Sequence, residues 1–218
     1  MSAPLSGAWT LTPVKRLAEA KSRLATVLGR EARAALQLAM LRDLLFAAAG
    51  AGRIAGRAVI TADPRVAAVA AACGALVLRE PDSDGLDHAV ARGAAALHRL
   101  GAATAAVIPA DAPLTTGAEI ARAVGVAEAT GATLVAPDRR RDGTNMLVFV
   151  TARPPVFAYG PGSFARHAGG HGALELRLDG AAHDIDAPDD LRFLAAAEGA
   201  PRSRAVLAAA HRFQETAP

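Results

Sequence analysis

The chain has one cysteine among its 218 residues, Cys73. A lone thiol excludes an internal disulfide. Its place in an alanine-rich helical stretch predicts a small buried hydrophobe. Aromatic residues are 4% of the chain, too few for a surface that stacks nucleobases. No apolar run comes near the length of a membrane span, and no basic-plus-apolar leader is visible. These gaps predict a soluble, cytoplasmic protein that works on neither membranes nor nucleic acid. Neither sign of charge dominates. The net charge is +3, with the arginines spread along the chain, which reads as mild attraction for anionic small molecules. The phosphate-loop pattern G-x-x-x-x-G-K-[ST] is absent. The glycines between Gly50 and Gly56 follow a helical pattern instead of a strand, so they do not make a dinucleotide loop either.

Hydrophobic residues are plentiful, 52% of the chain, and many are alanine. Small side chains predict close packing of helices on a sheet. The pattern reads as one domain over 1–218, with a core of about 8–196 and a helical tail of about 199–218. Strands are expected at Trp9–Val14, Arg57–Thr61, Ala75–Leu78, Ala105–Ile108, Ala132–Ala136 and Met146–Val150. Helices fall between most of them, the clearest being Arg30–Ala49, with its apolar stripe at Leu36, Met40 and Leu44. This alternation predicts an α/β fold with a mostly parallel central sheet and helices on both faces.

The stretch Ala105–Thr116, A-A-V-I-P-A-D-A-P-L-T-T, organises the rest. A short apolar run reads as a strand buried on both faces. Pro109 and Pro113 hold Asp111 in a stiff turn just beyond it. In open α/β sheets the ligand crevice lies outside the carboxyl ends of the strands, so Asp111 is a metal-ligand candidate. Thr116 and Glu119 form a capping box for the next helix, which leaves Asp111 without a structural role. Lys15, Lys21 and Arg23, after the first strand, could line a phosphate site with Ser22; a solvated helix start is the equal alternative. Gly85-Leu86-Asp87 opens a helix beyond a polar loop, where Ser83 and Asp84 are expected to act as caps. Arg139–Arg141 form the densest cationic cluster, part of it a solvated loop. Tyr159–His167, Y-G-P-G-S-F-A-R-H, exposes backbone N–H groups around Gly160, with Ser163 and Arg166 as further donors. His167 and His171 have zinc spacing, but Gly169-Gly170 and the lack of a third ligand argue against zinc. Asp184 and Asp186 flank Ile185. On a strand they would share a face, and such a pair is costly unless a cation holds it. Hard carboxylate oxygens favour Mg²⁺, with Mn²⁺ the alternative.

P-V-K-R-L-A-E-A-K-S-R-L, P-A-D-A-P-L, D-G-T-N-M-L, Y-G-P-G-S-F-A-R-H and D-I-D-A-P-D-D-L occur in that order. Together they resemble the phospholactate guanylyltransferases of coenzyme F420 biosynthesis, the CofC/FbiD family, over about residues 8 to 196. P-A-D-x-P-L is shared by many nucleotidyltransferases; D-G-T-N with G-P-G-S-F is far more specific. The resemblance implies a Rossmann-like, glycosyltransferase-A-type nucleotidyltransferase that takes GTP. The acceptor would be 2-phospho-L-lactate, phosphoenolpyruvate or 3-phosphoglycerate. It implies that Lys15, Lys21, Arg23 and Asp111 are catalytic, with the three cations meeting the triphosphate. Asp111, Asp184 and Asp186 would hold Mg²⁺. Thr144, Gly160, Ser163 and Arg166 would bind the acceptor, and Gly85, Leu86, Asp87 and Pro109 the nucleotide. Asp87 stands where relatives often carry asparagine; an acid there can accept from guanine N1–H and N2–H₂. A homodimer is among the states the sequence allows. Two other readings remain: another Mg-dependent nucleotidyltransferase, against which stands the missing glycine-rich loop near Pro13, and a non-catalytic nucleotide-binding module, against which stand the three intact aspartates.

Overall fold

The structure, a computed structural model, describes residues 6–80 and 85–215. Ser83 and Asp84, expected as caps, lie outside the described residues. Seven strands form one sheet: β1 (Ala8–Pro13), β2 (Ile54–Thr61), β3 (Leu76–Arg79), β4 (Thr104–Val107), β5 (Leu134–Pro137), β6 (Thr144–Val150) and β7 (Leu174–Glu175). Their order across the sheet is β3-β2-β1-β4-β6-β5-β7. Only β6 runs against its neighbours, β4 and β5. The mostly parallel α/β sheet expected from the alternation is therefore present. The helices are α1 (Arg30–Ala49), α2 (Pro64–Ala72), α3 (Leu86–Arg99), α4 (Gly117–Thr130), α5 (Ser163–Ala168), α6 (Pro188–Ala196) and α7 (Pro201–Glu215).

Period-two alternation builds both faces of the sheet from the same strands. Ala106 and Ile108 pack with Leu44 of α1 and Ile120 and Val124 of α4. Ala105 and Val107 face the other way, onto Val90, Ala94 and Leu97 of α3. Because both faces of β4 are buried, its sequence is continuously apolar. Alanine lets the layers come close. At Gly93 of α3 even a Cβ would lie 2.7 Å from Leu11 of β1, so this glycine sets how near α3 lies to the sheet. Helix α1 is apolar beyond one stripe because Leu36 and Met40 face Leu191, Leu194 and Leu207 of α6 and α7.

The structure departs from the sequence reading in two places. Strand β2 begins at Ile54, inside the glycine-containing stretch read as helix end and turn; Gly56 is tolerated because it lies against the Trp9 ring. Asp184–Asp186 is not a ladder strand but an irregular stretch. It is pinned by the buried Ile185, whose N–H donates to Asp111 O at 2.8 Å. Cys73 is half-buried against the α1–α2 side of the core.

Candidate active site

The chain runs outward from β1 to β2 and β3 on one side and to β4 on the other. The carboxyl ends of β1 and β4 therefore flank the point where the strand order reverses, the place for a ligand in such sheets. A cleft of about 380 Å³ opens there, lined among others by Lys15, Lys21, Arg23, Leu86, Pro109, Asp111 and Asp186. Residues from four motifs meet in it: the segment after β1, Gly85-Leu86-Asp87, P-A-D-A-P-L and D-I-D-A-P; D-G-T-N and Y-G-P-G-S-F contribute none of its lining. A recess of about 270 Å³ continues past Lys15 and Leu86 to Gly85 and Glu80.

The capping box at Thr116 and Glu119 forms as expected, so Asp111 is not needed to cap α4. Its carboxylate accepts from Lys21 Nζ at 2.9 Å. The same ammonium lies 3.6 Å from Asp186 Oδ1. The Lys21 side chain is 4% exposed, the two carboxylates about a third (33% and 35%). Lys21 stands between two short 3-10 turns, Leu17–Glu19 and Ser22–Leu24, with φ at +54°. A left-handed conformation costs a residue with a Cβ about 1 kcal/mol. Here it turns the side chain inward to the acids. Arg23 stays in solvent, 75% exposed, and reaches Asp186 Oδ2 at 2.6 Å.

Asp184 is not part of the cleft's lining; it lines a neighbouring recess with Arg23, Asp142 and Asp186, its Oδ1 accepting from Asn145 Nδ2 at 3.4 Å. Burial, and then the charge of Asp111, push its pKa above the ordinary carboxylate value. The charge of Asp111 thus adds to the effect of burial on Asp184. Among the described residues no three His, Cys, Asp or Glu side chains close into a protein-only ion cage. Asp111, Asp184 and Asp186, expected to share one ion, are therefore not gathered into a three-ligand group.

The motifs expected to bind an acceptor behave differently. Thr144 is buried, and its hydroxyl pairs with His167 Nδ1 at 2.8 Å. His167 Nε2 accepts from the Ala158 N–H at 3.0 Å. That leaves the Nδ1 proton to donate to Thr144, and burial lowers the His167 pKa. Both ring nitrogens of His167 are thus engaged in hydrogen bonds within the fold. The guanidinium of Arg166 donates to the carbonyls of Ala158, Tyr159 and Pro161. Gly160 and Gly162 take positive φ, +100° and +71°, so the loop folds as only glycine allows. Ser163 is buried, its N–H bonded to Gly160 O. Asp142 of D-G-T-N accepts from the Gly162 N–H at 3.0 Å, which ties the two motifs together. The side chains of Thr144 and Arg166, expected to contact an acceptor, are thus engaged in building the loop; the N–H groups of Ala158, Tyr159, Gly162, Ser163 and Phe164 are engaged as well, so the exposed backbone donors expected around Gly160 are mostly taken up by the fold. Asp87 does not stand open either: its Oδ1 accepts from the Tyr159 N–H at 2.7 Å. Asn145 is a participant the sequence reading did not single out, though its place in D-G-T-N could have shown it; His167 was weighed there only as a zinc ligand.

Residues 8–192 match the family described as guanylyl transferase CofC like. A phosphoenolpyruvate guanylyltransferase of Thermomonospora curvata is 39% identical over 206 residues, covering 92% of this chain and 89% of that one. Among solved structures, a nucleotide-diphospho-sugar transferase from Desulfovibrio desulfuricans G20, so described provisionally, superposes with a TM-score of 0.73 at 16% identity, covering 95% and 96% of the two chains. A Mycobacterium tuberculosis protein solved with manganese superposes at 0.56 and 23% identity, over 87% and 97%. At such identities these two likenesses speak for the nucleotidyltransferase-like fold alone.

Proposed function

The chain belongs to the family of CofC-like guanylyl transferases and is a nucleotidyltransferase; on that premise we propose that it transfers GMP from GTP to the phosphate of a small phosphorylated three-carbon acid, as a step in coenzyme F420 biosynthesis. Of the three acids the sequence pattern allows, phosphoenolpyruvate is favoured, because it stands in the name of a relative matching nearly the whole chain. An acceptor phosphate oxygen attacks the α-phosphorus of GTP. The bond from that phosphorus to the bridging oxygen breaks, and pyrophosphate leaves. No covalent enzyme intermediate is required, so the protein contributes position and charge.

The observation that carries this reading is the Lys21–Asp111–Asp186 cluster at the carboxyl ends of β1 and β4. Lys15, Lys21 and Arg23 would meet the triphosphate and offset charge building on the departing pyrophosphate. Asp111 and Asp184, with Asp186, would hold Mg²⁺ or Mn²⁺. The crowding of Asp184 by Asp111 fits a divalent ion, as does the all-oxygen donor set. When bound, such an ion polarises phosphoryl oxygens and neutralises their charge. Gly160 and Ser163 would seat the acceptor.

The test is pyrophosphate release from GTP and Mg²⁺, with each acid offered separately. Release with phosphoenolpyruvate is expected. Release only with another nucleotide would move the chain to a sibling reaction, and silence throughout would overturn the catalytic reading.

A further inference from the structure

The resemblance makes Asp87 a reader of the nucleotide. The geometry gives it another task. Asp87 lies in the first turn of α3, where a carboxylate can accept from the helix's own uncapped N–H groups. Its Oδ1 instead crosses 72 positions of sequence to the Tyr159 N–H at 2.7 Å, a charge-assisted hydrogen bond at the short end of the range. Tyr159 directly precedes Gly160. The Tyr159 side chain lies edge-on to His167, ring centroids 4.9 Å apart, and its hydroxyl is buried. This backbone is therefore gripped from two sides. The Thr144–His167 pair and Arg166 hold Ala158, Tyr159 and Pro161 from within the acceptor half. Asp87 holds it from the helix whose first residue, Leu86, lines the main cleft.

We propose that Asp87 is a positioning residue that latches the acceptor loop to the start of α3, and that it does not read the guanine base. The inference rests on the guanylyl-transfer reading for its kinetic consequence, but the latch itself does not. In-line attack needs the acceptor phosphate at a fixed distance from the α-phosphorus. A link between the helix beside the nucleotide cleft and the acceptor loop sets that distance.

The test compares the whole protein with Asp87→Ala and Asp87→Asn. Asparagine retains one acceptor oxygen; alanine retains none. Amide hydrogen exchange over 157–163 is expected to quicken in Asp87→Ala and to return close to normal in Asp87→Asn. Unchanged exchange in Asp87→Ala would overturn the latch, whatever the enzyme does. In the pyrophosphate assay, Asp87→Ala is expected to raise the KM for the acceptor by about tenfold and to lower kcat, leaving the KM for GTP unchanged, with Asp87→Asn recovering most of the loss. A raised KM for GTP, or a gain of ATP use, with the acceptor KM unmoved would overturn the proposal and return Asp87 to the base. An inactive wild type with the exchange pattern as expected would overturn the reaction and the latch's catalytic purpose, while keeping the latch.

Discussion

Two regions of the molecule use charge in opposite ways. At the strand ends, Lys21, Arg23, Asp111 and Asp186 pair with one another across elements far apart in the sequence, and the carboxylates stay about one-third exposed. In the 142–167 segment, Thr144, His167, Arg166 and Asp142 engage their polar atoms in hydrogen bonds that shape a glycine-bearing loop. The first region holds ion pairs that a more highly charged ligand can exchange for its own. The second is a preorganised scaffold whose polar atoms are already taken. On the proposed reading, a triphosphate would bring enough charge to rearrange the first, and a small acid would be better served by a shape already made.

The sharpest way to break this contrast is Asp111→Asn. It leaves the volume and removes the charge, so the fold should persist while kcat falls roughly a hundredfold or more. Steady-state kinetics alongside a thermal melt reads both, and unchanged turnover would remove Asp111 from the chemistry.

His167→Ala should do the reverse. It strands the Ala158 N–H and the Thr144 hydroxyl, at a cost of about 2 kcal/mol, read by urea denaturation. Burial holds the His167 pKa below its ordinary value, so the folded state binds that proton less readily than the unfolded one. Its contribution to stability is complete above the unfolded value, about 6.5, and is lost as pH falls through the folded value. Wild type should therefore weaken on acidification below about pH 6.5, and His167→Ala should weaken less steeply.

The smallest expected effect is at Asp184, which feels the charge of Asp111 and accepts from Asn145. Asp184 has a raised pKa, so the folded state holds its proton more tightly. The stability this brings is present below the unfolded value and is lost as pH rises through the folded one. In a chelator at pH 8, Asp184→Asn should raise Tm slightly while impairing turnover once Mg²⁺ is restored. A lowered Tm would show that the ionised form is already compensated.

Much of this site was legible in the chain. The apolar run ending in P-A-D-A-P placed Asp111 because a two-faced buried strand has a continuous hydrophobic signature. Thr116 and Glu119 announced their capping box because capping is local. The Asp184–Asp186 stretch was misread as a strand, since alternation over so few residues also describes an irregular segment held by hydrogen bonds from Ile185 N–H to Asp111 O and from Asp186 N–H to Asp190. Thr144, Arg166 and Asp87 were read as ligand-facing because their motifs lie beside the site; no spacing rule says where a side chain turns.

The sequence by itself determined the sheet, its helices and which motifs gather at the strand ends, because periodicity, prolines and caps act within a few residues. Tertiary structure alone decided which polar atoms remain for a ligand. Lys21 meets Asp111 across 90 positions and Asp87 meets Tyr159 across 72. A hydrogen bond is allotted by distance in space, and the packing of β1, β4 and α3 is what sets that distance.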